Sequence, residues 1–283
     1  MIHSKLFWWF FNLQFIICGC HSEIKESNFV KGKQFYKITK IAQMPPVVNE
    51  SSGLVATAKD TTFWTHNDSG GKAEIYEVDK TGQLLSVLRF PTIKNEDWEE
   101  ITRDKDGYLY IGDFGNNQNT RRELIIQKVN EKTATLLEPI RFHYADQEKF
   151  PPEDIDKNFD CEAFFAKGDS LYLFSKNRGN NLVKLYAVPK YSGNYALLPK
   201  DQIKISTMVT GAAISPDEKT FALVTYGQVL FFGVENQEIN FRHPKKCYKF
   251  IYNQTEAITF LDNKHLLISN EAGELLFIDI EKP

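Results

Sequence analysis

Two stretches of this chain set two carboxylates two residues apart in front of an apolar run. They are Asp97 and Glu99 in "DWEEI", and Asp160 and Glu162 in "DCEAFF". Gln254 and Glu256 in "QTEAITF" repeat the spacing with an amide in place of one acid. Residues two apart on an extended strand face the same way. Carboxylates brought together repel, and each is driven towards its protonated form unless a cation neutralises the group. An oxygen-only set without His or Cys suits a hard cation, and calcium suits it better than magnesium where flexible loops supply the ligands. The candidate metal ligands are Glu50, Asp97, Glu99, Asp160, Glu162 and Glu256. Two other readings stand beside this one: Lys176, Arg178 and Arg121 or Arg122 neutralise the acids, or the acids cap turns and never meet.

The strand that follows the second acid pair ends in Lys176-Asn177-Arg178. Lys176 and Arg178 would hold a phosphate or another anion, with Tyr226, Asn270 and Asn117 as further ligand-binding candidates. Glu99, Glu162 or His66 would activate water in a hydrolytic reaction. His66 lies in "THNDSGG", where ordering a turn through Asn67 and Asp68 is the competing role. "GDFGNNQNTRRE" reads either as an anion-binding loop or as a solvated connection. Trp98, beside Glu99, reads as packing.

The elements that must position these residues are short strands. After residue 35 the chain alternates aromatic and β-branched residues in stretches such as "FWTHND", "YLYIGD", "LYLFSK" and "FALVTY", separated by turn residues. No long segment has a helical period. Leu54, Ile101, Phe164, Ile214 and Ile258 each precede a second marker by twelve residues: His66, Asp113, Lys176, Tyr226 and Asn270. Each interval holds a strand, a tight turn and a second strand. The units recur at roughly the 40–50 residues of a four-stranded propeller blade. Third strands follow around Ile75-Tyr76, Leu185-Tyr186 and Leu276-Phe277, and fourth strands in "LLSVLRF" and "PIRFHYA". The last unit is one strand short, and "FYKITKIAQM", residues 35–44, is the spare strand that completes it and closes the ring. The fold expected is all-β, a five-bladed β-propeller over 35–283, with a sixth, degenerate blade as the alternative. The acids at the head of each inner strand and the bases at the tail of the next then meet at one rim.

The chain has 283 residues, a net charge of −3, 22 Phe and 12 Tyr. The charge gives no argument for nucleic acid. Residues 1–20 read as a secretory signal, too short for a good membrane span. They end in Ile17-Cys18-Gly19-Cys20, which resembles a bacterial lipobox with Cys20 as the lipidated residue. Residues 21–34 read as a polar tether. The protein is expected to be exported and held in the cell envelope by a lipid anchor. Cys161 and Cys247 are not expected to pair.

"SGL", "THNDSGG", "IYEVDKTG", "DWEEI", "LYIGDFGNN", "FDCEAFF", "TGAAISPD" and "TEAITF" together resemble an uncharacterised group of bacterial envelope propellers, similar to the SdiA-regulated and esterase-like phytase families. The resemblance covers nearly all of residues 45–283. It implies an acidic, calcium-containing central site, and one departure is that the fourth unit has Thr210 and Ala212 in place of acids. Two functions follow: a surface module binding a small molecule, glycan or protein at the mouth, or a metal-dependent hydrolase of phosphate esters. A scaffold whose acids are purely structural is the third reading.

Overall fold

The computed structural model describes residues 20–32, 38–59, 61–250 and 254–280. Five sheets, antiparallel apart from two added edge strands, stand around one axis. The first blade is Ser51–Ala56, Thr62–Asn67, Glu74–Asp79 and Leu84–Arg89. The second is Trp98–Arg103, Tyr108–Asp113, Leu124–Asn130 and Ile140–Tyr144. The third is Asp160–Lys167, Ser170–Lys176, Leu182–Pro189 and Asp201–Lys204. The fourth is Val209–Ile214, Thr220–Thr225, Gln228–Gly233 and Pro244–Lys249. The fifth is Thr255–Phe260, His265–Asn270 and Glu274–Asp279, completed by Thr39–Gln43 from the start of the chain. The first strands of the blades pack against one another in sequence order and the fifth returns to the first, so the ring closes with five blades. Closure by the N-terminal strand leaves no blade with a missing edge.

Aromatic residues fill the seams between blades. Phe221 and Phe232 stack at 4.7 Å, and Phe165, Phe174 and Phe241 pack around them between blades three and four. Phe114, Phe142, Phe164 and Tyr144 do the same between blades two and three. A flat ring suits the narrow wedge between two twisted sheets, which accounts for the high Phe content.

Two features were not legible beforehand. Gly193–Leu197, from the connection inside blade three, adds a parallel strand to the outer edge of blade two. The segment expected to be a tether is also docked. His21–Glu26 forms a short helix, Phe29 is buried against Phe232, and Val30–Lys31 pairs in parallel with Lys246 and Cys247 on blade four. The buried Glu23 carboxylate accepts from the backbone N–H of Ser206 at 2.8 Å and from its hydroxyl. Cys20 forms a disulfide with Cys247, and Cys161 is a buried free thiol. A sulfur in a disulfide has no valence left for a thioether-linked lipid, so this bond and the expected lipidation of Cys20 exclude one another. The signal segment 1–19 lies outside the described residues.

Candidate functional site

Every inner strand begins with a β-bulge, where one residue is left unpaired against its partner strand. The bulged residues are Ser52, Glu99, Glu162, Thr210 and Glu256. A bulge bends the strand and re-aims the extra side chain, here at the mouth where the strands begin. In blades one and four this residue carries a hydroxyl that ties two blades together: Ser52 Oγ donates to Glu99 O at 2.7 Å, and Thr210 Oγ1 to Thr255 O at 2.7 Å. In the other three blades it is a glutamate.

The bulges correct the register read from the sequence. The residue before each bulge pairs with Asn67, Asp113, Ser175, Thr225 and Asn270. His66, Lys176 and Tyr226 therefore lie one position away from that column, and blade four aligns on Ala212, not Ile214. The hairpin turns also differ, joining 56 to 62, 103 to 108, 167 to 170, 214 to 220 and 260 to 265. The constant spacing of twelve is thus not a constant geometry.

At the mouth the carboxylates form two groups that share one member. Oxygens of Asp68, Asp97 and Glu99 lie within 4.8 Å of one another, and so do those of Glu99, Asp160 and Glu162. Gly115 makes the first group possible, because a Cβ there would fall 2.1 Å from Glu99 Oε1 and 2.4 Å from Asp97 Cγ. Asp68 is a member that the candidate ligand set lacked. It sits directly after the strand Thr62–Asn67, where a "D" beside an Asn reads first as turn chemistry. Glu256 is buried near Tyr226, Lys176 and Glu271 but outside both groups. Glu50 is exposed and also outside them; its carbonyl accepts the Asp68 N–H at 3.0 Å.

Each basic residue on the rim already has an acid. Lys176 Nζ is 2.8 Å from Glu162 Oε1, with both side chains buried. Arg178 Nε donates to Asp160 Oδ2 at 2.6 Å, and its Nη2 reaches Glu162 Oε1 at 3.3 Å and also Asn117 Oδ1. Arg121 pairs with Asp113 at 3.1 Å and donates to Gly115 O at 2.7 Å. The loop that carries Arg121 folds onto blade three: the Asn116 N–H donates to Asp160 Oδ1 at 2.7 Å and Asn116 Nδ2 to Phe159 O at 3.0 Å. Asn116, Asn119 and Arg121 spend their donors on the protein, while Asn117, Gln118 and Arg122 of the same loop stay exposed.

The acids still outnumber these partners, and the electrostatics show it. Burial, then the neighbouring Glu162 charge, pushes Asp160 up to about 7 against the pull of Arg178 and Lys176. Burial and the Asp160 and Asp68 charges raise Asp97 to about 6. Glu99 stands well above the usual carboxylate range, through burial and then Glu162 and Asp160. Glu256 does so through burial first, with Lys176 opposing. Burial pulls Lys176 down, but the Glu162 carboxylate outweighs it and the ammonium is held above its ordinary range. A surplus of desolvated oxygen ligands is the condition under which a hard cation gains most.

His66 does not reach this mouth. A shift of one position turns a strand side chain to the other face. His66 is fully buried, with Nδ1 3.0 Å from Asn67 O, its ring edge-on to Trp98, and Nε2 against Gly53. Burial lowers it to about 4. A general base must come within hydrogen-bond reach of the proton it takes, and a ring sealed in the core cannot, which corrects its placement among the water-activating groups. Asn270 braces a turn, donating to Glu274 Oε2 at 2.8 Å and accepting from the Glu274 N–H at 2.9 Å. Tyr226 stays at the rim, with its hydroxyl 3.5 Å from Lys176 Nζ.

Fold and rim together define a five-bladed β-propeller with a buried acidic mouth. No family model matches the chain, and no curated protein sequence does. Among solved structures the chain is similar to the PQQ-bound form of an aldose sugar dehydrogenase from Streptomyces coelicolor. That likeness has a TM-score of 0.53 and 12% identity, over 88% of this chain and 98% of the other. It extends to the fold alone. The SdiA-regulated and esterase-like phytase families gain no support from it.

Proposed function

We propose that the acidic mouth binds a hard divalent cation of the calcium class and, through it, an oxygen-bearing ligand such as a glycan or an acidic partner segment. The observation that carries this reading is the pair of carboxylate groups that share Glu99, each with its oxygens within 4.8 Å. A cation there would relieve the repulsion that burial imposes on Asp97, Glu99 and Asp160, and open coordination positions would face solvent at the rim. Hydrolysis of phosphate esters, which the family resemblance implies, has less support: Lys176 and Arg178 are engaged by Glu162 and Asp160, and His66 is sealed in the core. Export is part of the same reading, supported by the Cys20–Cys247 disulfide, a bond that persists in oxidising compartments.

The test is thermal melting of the purified protein in EDTA and with calcium added back. A ligand at a hundred times its Kd stabilises by about 2.7 kcal/mol, which corresponds to roughly 5–10 °C in a domain of this size. Glu99→Gln, which removes charge from both groups, is expected to abolish the calcium response. A calcium shift that survives Glu99→Gln, or no shift in either protein, refutes the site.

A further inference from the structure

The central channel has a second mouth at the opposite end, where the inner strands turn into the second strands of the blades. A cavity of about 550 Å³ opens there, within the range of roughly 300–1,000 Å³ typical of small-molecule sites. All five blades contribute to it. Its floor is apolar, built from Val55, Ala166, Ile214 and Phe260 on four different blades.

Its wall is charged, and the two signs are used differently. Four acids line it; Asp169 accepts from the Tyr191 hydroxyl at 3.2 Å, Asp106 is exposed with Lys190 at 3.5 Å, and the other two are occupied. Asp104 accepts from the N–H groups of Asp106 and Tyr108, from the Tyr110 hydroxyl and from Lys190 Nζ, each at 3.0 Å. Glu218 takes Lys105 on one oxygen and Lys167, at 3.5 Å, on the other. The cations keep donors in hand. Arg103 gives Nε to Glu131 Oε2 at 2.6 Å, and its terminal nitrogens have no partner among the described residues. Lys167 donates to Gln237 Oε1 at 2.8 Å and has a second, long contact to Glu218. The two cations sit on adjacent blades, tied together where the Ala166 N–H donates to Thr102 Oγ1 at 3.3 Å. An open guanidinium fork matches the two oxygens of a carboxylate or sulfonate, and the floor beside it accepts an apolar body.

We propose that this second mouth binds small organic monoanions, with the anionic head at Arg103 and Lys167 and an apolar body on Val55, Ala166, Ile214 and Phe260. The site is separate from the acidic mouth, whose own carboxylates call for a cation.

The probe is 8-anilinonaphthalene-1-sulfonate, titrated by fluorescence against the purified protein and displaced with hexanoate. Saturable binding at one site is expected, weakened at least tenfold by Arg103→Gln and by Ala56→Trp, which fills the cavity without touching a charge. Glu99→Gln, at the other mouth, is expected to leave it unchanged. Melting curves of each variant establish that it is folded. The uncharged N-phenyl-1-naphthylamine is expected to bind at least tenfold more weakly than the sulfonate. Absence of saturable binding overturns the proposal, as does binding indifferent to both variants. Binding lost in Ala56→Trp but kept in Arg103→Gln overturns the anion assignment.

Discussion

Replacing Lys176 with Met tests whether the basic residues at the rim exist to neutralise its acids. Lys176 and Glu162 have side chains only 6% exposed and lie 2.8 Å apart. Removing one partner of a buried pair leaves the other charge desolvated and costs about 3–5 kcal/mol. Arg178, at 3.3 Å from the same Glu162 oxygen, softens that loss, which sets the expectation near the lower end, about 3 kcal/mol. At roughly 2–4 °C per kcal/mol for a domain of this size, Lys176→Met should melt about 6–12 °C lower in EDTA. Adding Glu162→Gln to Lys176→Met should restore most of the loss, because the orphaned charge is gone. Calcium should also restore part of it in the single variant by taking over the neutralising role. The assay is thermal unfolding followed by circular dichroism on the four proteins of the cycle. A single-variant loss below about 2 °C, or a double variant whose loss is the sum of the two singles, would refute the reasoning.

Other expectations follow from the same geometry. Asp97 is raised from 3.8 to about 6 in the folded state, so the native protein binds more protons than the unfolded chain between these values and loses stability as pH rises through that window. In EDTA, the stability of wild type relative to Asp97→Asn should therefore fall between pH 4 and 6 and level off above, as measured by urea unfolding; a flat difference refutes it. His66, lowered from 6.5 to about 4 by burial, should keep a neutral-imidazole NMR signature at pH 5.5, and a midpoint near 6.5 would show that it is open to water. Peptide mapping without reduction should recover Cys20 joined to Cys247, with Cys161 unreactive to iodoacetamide until unfolding. Cys247→Ser should cost about 2–4 kcal/mol. Recovery of Cys20 bearing a lipid would refute the disulfide.

Much of the fold was legible because hairpins are local. Alternation within strands such as Tyr108–Asp113 or Leu182–Pro189, and the turn residues that flank them, require no knowledge of distant contacts. The missing strand of the last blade was legible for a topological reason: a ring needs a closing strand, and residues 39–43 were spare. Gly193–Leu197 and the docked segment 20–32 were not, since each pairs with a blade other than its own and neither has a periodicity that names its partner. The site divided in the same way. Asp97, Glu99, Asp160 and Glu162 were found from their recurring spacing. Asp68 was left out of the ligand set because an Asp beside an Asn reads first as turn chemistry, and His66 was misplaced because a bulge shifts register by one residue without leaving a mark in the spacing.

The sequence by itself determined that this chain is a closed array of antiparallel hairpins and that acids recur at the heads of its inner strands. Those properties are written in near-neighbour patterns of polarity and turn chemistry. The tertiary structure alone decided which carboxylates share an environment, that Lys176 and Arg178 are spent on Glu162 and Asp160, that His66 is sealed in the core, and that a second cavity lies at the other end of the channel. Those are relations between blades. They depend on where strands some fifty residues apart are brought within a few ångströms, and burial, which sets the charge state of every acid at the mouth, has no value until the ring has closed.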